Sequence, residues 1–179
     1  MGQQPVQTTY TDILSQPFAG SIADAAFARE IVPAFNTEAS TSIPFGWGVA
    51  RDNTAPYGAQ GIGAKLPAAT TDKLLGITVF SHSFSLNPLN LELDTVGMKP
   101  GVLMNVMRHG RIWAIAELGS AAGDRVFVRC TAAGSGKGSL LNTDPGSSTV
   151  VATTGKIGEW QTAAAALGLA IAEVNFVNA

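Results

Sequence analysis

This chain has one cysteine, two histidines and few charges, and each shortage excludes a class of function. Cys130 stands alone, so no disulfide forms within the chain and no cysteine-based metal site exists. Small secreted domains usually carry paired cysteines, so cytoplasmic synthesis is expected. Residues Met1 to Tyr10 show no basic cluster leading into an apolar stretch, and Arg is absent before Arg29, so neither a signal peptide nor a transit peptide is expected. Charged residues make up 13% of the chain and the net charge is −2, which argues against a nucleic-acid partner needing a basic face. The longest apolar run, Ala163 to Ala172, falls well short of the roughly 18 residues a membrane span requires.

What is present is apolar and interrupted. Hydrophobic residues reach 46% across 179 positions, enough for one domain with its own core. Short apolar runs alternate with Gly, Pro, Asn and Ser, the pattern of an all-β sandwich or barrel. Ile43, Phe45, Trp47 and Val49 alternate with smaller residues and read as one strand through Ala50. Lys73 to Phe80 is apolar on both faces, as in a central strand. Val126, Val128 and Cys130 alternate with Arg125, Phe127 and Arg129, which gives one dry and one partly wet face. Lys156–Gln161 and Leu169–Phe176 read as a closing pair of strands joined by an Ala-rich turn. Short helical turns are expected around Ile22 to Arg29 and, as an alternative to a plain turn, at Ala163 to Ala166.

Three stretches read as loops: Asp52–Asp72, Leu86–Pro100 and the Gly/Ser/Thr-rich Thr131–Gly155. Residues 1–20 are polar and aperiodic, an extended arm ahead of a domain at 21–179, with Tyr10, Ile13, Leu14 and Phe18 as apolar anchors for a partner. His109-Gly110 reads as the turn of a hairpin pairing Val106 with Trp113 and Met104 with Ile115. That register sets Arg108 opposite Arg111, and like charges opposed across strands either splay into solvent at the tip or invite an acidic partner.

Chemistry is sparse. His82 lies between Ser81 and Ser83 beyond a buried strand, and reads as a strand-end polar residue rather than a general base. Glu92 and Asp94 lie two apart but lack the rest of a Ca²⁺ loop, and read as solvated carboxylates. Gly134-Ser135-Gly136-Lys137-Gly138-Ser139 lacks the spacing of a phosphate-binding loop and reads as a flexible loop. Trp47, Trp113 and Trp160 fall inside predicted strands and read as core. No catalytic residue, cofactor or metal is therefore expected.

The order of motifs resembles the cement, or head decoration, proteins of tailed phages. The likeness rests on Thr9-Tyr10-Thr11-Asp12, on Ile43 to Arg51, on Leu75-Gly76-Ile77 and on Lys99-Pro100-Gly101. It continues through Arg108-His109-Gly110-Arg111-Ile112-Trp113, Ala121 to Asp124 and Gly168-Leu169-Ala170. The resemblance implies a single-domain β-barrel or jelly-roll-like sandwich with an N-terminal arm and long Gly/Ser-rich loops. It also implies a non-enzymatic protein on the exterior of the phage head. There it binds major capsid protein subunits and itself, as a homodimer or homotrimer, with no nucleic-acid or membrane partner. Arg108 and Arg111 join the arm anchors as expected partner-binding residues. The competing reading is a carbohydrate-binding-like β-sandwich, for which Tyr57 is the one good loop aromatic. A hydrolase on a β-scaffold has no motif to support it.

Overall fold

The structure, a computed structural model, describes residues 17–24, 30–53, 62–80, 97–146, 149–151 and 157–176. Among these residues there are twelve strands and no helix. In chain order they are β1 (Ile22–Asp24), β2 (Glu30–Asn36), β3 (Ile43–Pro44), β4 (Gly48–Asp52), β5 (Ile62–Lys65) and β6 (Leu74–Val79). They continue with β7 (Gly97–Met98), β8 (Leu103–Ala116), β9 (Phe127–Val128), β10 (Leu140–Leu141), β11 (Gly158–Trp160) and β12 (Gly168–Asn175).

The sheet order runs β11-β12-β8-β2-β5-β4-β6, and β6 pairs back onto β8. That return closes β8, β2, β5, β4 and β6 into a ring, a small barrel without free edges. All contacts in the ring are antiparallel except β2–β5. The closing seam is tight. A Cβ on Gly76 would sit 2.3 Å from the Met107 carbonyl oxygen, so only glycine lets β6 approach β8 this closely.

Two apolar cores follow. One fills the barrel with Ala34, Val49, Ala64, Leu75, Met98, Met104 and Val106 among others. The second lies between the outer side of β6 and strands β8 to β12, and holds Ile77, Met107, Ile112, Val128, Leu140, Trp160 and Phe176. Strand β6 therefore has both faces covered, which is why Leu74 to Val79 reads as a continuous apolar run. Its one polar member, Thr78, is fully buried and donates its hydroxyl to the Pro44 carbonyl at 2.7 Å. Asn36 is satisfied in the same way, with Nδ2 donating to the Met98 carbonyl at 2.6 Å and Oδ1 accepting from the Glu38 amide.

Strand β8 departs from the hairpin expected at His109-Gly110. It runs unbroken through both residues, because each edge of the chain there has its own partner. Glu30 of β2 pairs with His109 on one side, while Asn175 and Val174 of β12 pair with His109 and Gly110 on the other. The continuous strand also avoids opposing Arg108 to Arg111. Gly110 takes a φ of 152°, so the glycine serves a bend rather than a turn. The bend is visible in the connectivity: Asn105 and Trp113 would stand about 26 Å apart in a straight strand. Yet they are linked through Val79, Phe80 and Gly20 by strand pairing and two 2.7 Å backbone hydrogen bonds.

Other elements also differ from the sequence reading. Ile22–Asp24 is strand β1 rather than the start of a helix, and 25–29 lies outside the described residues. The run from Ile43 to Ala50 splits into β3 and β4 at a Phe45-Gly46 turn, where Gly46 takes φ 75°. The Asp52–Asp72 stretch conceals β5, and Thr131–Gly155 conceals both β10, with buried Leu140 and Leu141, and the buried Val150 and Val151 beyond it. The Ala163 to Ala166 run is not helical: Ala164 bridges Ser120 through reciprocal backbone bonds, and the turn follows at Ala166-Leu167. Of the tryptophans only Trp160 is fully buried, while Trp47 and Trp113 are partly buried. The closing pair β11–β12 is antiparallel, as expected.

Candidate interaction surface

Of the residues singled out for partner contact, Tyr10, Ile13 and Leu14 lie outside the described residues, as do His82, Glu92, Asp94 and Tyr57. Phe18 is described and is 53% exposed, with its ring 5.9 Å from that of Phe80, which in turn meets Phe45 edge-on. Just beyond it the backbone is tied down. Gly20 donates to the Trp113 carbonyl, Trp113 donates to the Ser21 carbonyl, and Phe80 donates to the Gly20 carbonyl. The chain is thus stitched between β6 and β8 from Gly20 onward.

Arg108 and Arg111 meet acids within their own chain. Arg108 Nη1 lies 2.5 Å from Glu30 Oε1, and Arg111 Nε lies 2.7 Å from Glu173 Oε2. All four side chains are about a third exposed, so each pair is worth under about 1 kcal/mol.

The outer face of β8 and β12 carries apolar rows that the sequence reading did not single out. Cross-strand neighbours share a face, so Trp113 stands beside Ile171 and Ile115 beside Leu169. Ile115 is 39% exposed and Leu167, at the turn before β12, is 65% exposed. Trp47, Ile115, Leu167, Ser135, Ser139 and Glu117 frame a cavity of about 130 Å³ at the end of this face. The Arg111–Glu173 pair closes the opposite end of the rows.

Beneath the cavity lies a buried charge network. Arg129 and Glu117 form a two-pronged contact, Nη2 to Oε1 at 2.7 Å and Nε to Oε2 at 3.0 Å, and Ser139 donates to the same carboxylate. Burial would raise the Glu117 carboxyl, but bonds from Arg129, Ser139 and the Ser135 amide, with the arginine charge, hold it below the usual carboxylate range. The 134–138 loop is fitted to this network rather than free. A Cβ on Gly134 would collide with Glu117 Oε1, and Gly138 donates to the Arg129 carbonyl and accepts from the Gly48 amide. Gly134, Gly136 and Gly138 all take positive φ, which explains the glycine content. The carboxylate's lone pairs are occupied, so the network is structural.

Among the described residues no group of three or more His, Cys, Asp or Glu side chains is placed to hold a metal ion. Burial pushes the Cys130 thiol up, which keeps it in its unreactive form. A model of the structural cement protein family (E217 gp24/Pam3 gp6) matches residues 6–175. The chain belongs to the structural cement proteins. It is accordingly a structural protein of a phage virion.

One similar solved structure shares the fold. A chain in the capsid of Myoviridae phage XM1 superposes with TM-score 0.60 at 15% identity, covering 97% of this chain and 98% of that one. The N base of the phi29 head fibre gp8.5 is 16% identical, covers 82% of this chain and 96% of that one, and at TM-score 0.45 is too distant to bear on the fold. No curated protein sequence matches significantly. Within this cement protein the Ala121–Asp124 motif is a turn, in which Asp124 accepts from the Ala121 amide and from Asn142. Those bonds lower the Asp124 carboxyl.

Proposed function

We propose that this cement protein binds the outer surface of the phage head and stabilises contacts between major capsid protein subunits, acting without catalysis and as a small oligomer. The observation that carries the reading is the family match over residues 6–175. The barrel supports it physically. A closed ring with two cores resists deformation, as a clamp across subunit junctions must.

In this reading the arm is the segment ahead of Gly20, with Tyr10, Ile13, Leu14 and Phe18 as capsid anchors and Arg108 and Arg111 as a charged rim. A polar segment with scattered anchors contributes weak contacts singly. Several arms on one oligomer gain from effective concentration. The rim charges act on association rate and salt response more than on affinity.

The test uses expanded phage heads assembled without this protein. Added cement protein should co-sediment with them at saturable stoichiometry and raise the temperature at which packaged DNA escapes. Failure to co-sediment at micromolar concentration refutes the reading.

A further inference from the structure

We infer that Gly20–Asp24, where the arm joins the domain, is a brace across the bend of β8, through which β6 and β8 together carry a pull on the arm. Strand β8 changes partners at its bend. Up to Met107 it pairs with β2 and β6 of the barrel, and from His109 onward it pairs with β12 and then β1. Between the two parts the register with β2 slips. Glu30 faces His109 and Ile31 faces Met107, which leaves Arg108 as an extra residue. A bulge of this kind bends a strand, and Gly110 follows two residues on with φ 152°. An extra residue and a glycine so close together make this the part of β8 that flexes most easily.

The root of the arm spans that part. The Gly20 amide donates to the Trp113 carbonyl at 2.7 Å and the Trp113 amide donates to the Ser21 carbonyl at 2.9 Å, so both backbone groups of one β8 residue are held. On the barrel side the Gly20 carbonyl accepts from the Phe80 amide at 2.7 Å, just past the end of β6. Val79 of β6 in turn pairs with Asn105, on the near side of the bend. Beyond Ser21 the chain continues as β1 against Ile112 and Arg111. The fit leaves no room for a side chain at Gly20. Its φ of 86° favours glycine, and a Cβ there would lie 2.8 Å from Phe45 Cβ and 2.9 Å from the Phe80 nitrogen. The rings of Phe18, Phe80 and Phe45 add a chain of aromatic contacts at the same place. An edge strand peels from one neighbour, whereas freeing this root breaks bonds to two strands. An arm anchored on a head delivers its tension here, and the brace divides that load between the barrel and the second core.

The inference rests on the proposed function only for the arm's engagement with heads. Its tests use free protein, so its failure is distinguishable from failure to bind heads. The full chain would be stretched in optical tweezers between a handle at its N-terminus and one on Thr143→Cys, an exposed position, Cys130 being buried. The root should hold until the barrel ruptures. With Gly20→Ala added, Gly20–Asp24 should come free first, as an extra step of about 2 nm at lower force. Hydrogen exchange on the native chain reads the same contact without force. The Trp113 amide should exchange within about tenfold of the Phe176 amide, which donates to the Arg108 carbonyl. In Gly20→Ala the Trp113 amide should exchange about a hundredfold faster than in the native chain, with Phe176 changed far less. A chain with Gly20 intact that yields such a step before the main rupture overturns the proposal. So does a native Trp113 amide that exchanges far faster than Phe176, or a Gly20→Ala chain whose protection falls evenly throughout. Both measurements with Gly20 in place decide the matter even where Gly20→Ala fails to fold.

Discussion

Arg129 and Glu117 form a two-pronged ion pair that is more than nine-tenths buried and lies beneath the 134–138 loop. Removing one partner of such a pair leaves the other charged and dry, at a cost of about 3–5 kcal/mol. Glu117→Gln should therefore lower the melting temperature at neutral pH by about 6–20 °C. Scanning calorimetry reads this directly. A change of a degree or two would mean that the loop opens and hydrates the arginine.

The same pair sets a pH dependence. The folded Glu117 carboxyl is held below its unfolded value of about 4.5, so its contribution is present above that pH and lost as pH falls through the folded value. The wild-type melting temperature should drop below about pH 4.5 more steeply than that of Glu117→Gln. Parallel curves for the two proteins would contradict this assignment.

The barrel seam predicts a contrast between two glycines. Gly76→Ala drives a Cβ into the Met107 carbonyl and should cost about 3 kcal/mol or more. Gly123, with φ 91°, meets nothing within 4 Å, so its replacement by Ala should cost only the backbone strain, about 1–2 kcal/mol. Urea midpoints for the two variants should fall in that order. Equal midpoints would mean that β6 does not close on β8 as described.

Arg108 and Arg111 should matter little to stability. Each is paired with a partly exposed glutamate, so the double serine variant should lose under about 2 kcal/mol in all. The difference should shrink in molar salt, where exposed pairs are screened. A loss well above this would show that these pairs carry a structural role the geometry does not suggest.

Much of the fold is legible in the sequence, and the failures have physical causes. Strand β6 and the β11–β12 pair were readable because burial on known faces leaves a period or a run. Strand β8 was not, because His-Gly is a turn signal locally while its strand character depends on partners distant in sequence. Strands β5 and β10 were hidden because Gly-, Ala- and Ser-rich segments show no period even when their few apolar residues are buried. Arg129 looked like a surface residue on a partly wet face, since nothing local reveals that Glu117 and Ser139 meet it. The family resemblance was readable from motif order. The apolar face with Leu167 was not, because an Ala-rich turn gives no sign of which side chain it points outward.

The arm makes a separable claim. Deleting residues 2–16 should leave the melting temperature of the free protein within a few degrees and sharply lower its occupancy on heads. Loss of stability with binding preserved would place the arm inside the fold.

The central claim, attachment outside the head across capsid subunits, is tested most directly by cryo-electron microscopy. Heads assembled without this protein would be imaged before and after its addition. The account predicts new density on the exterior, each copy fitting the barrel and touching at least two major capsid subunits. Density on the inner surface, density confined to the tail vertex, or none at saturating protein would contradict it.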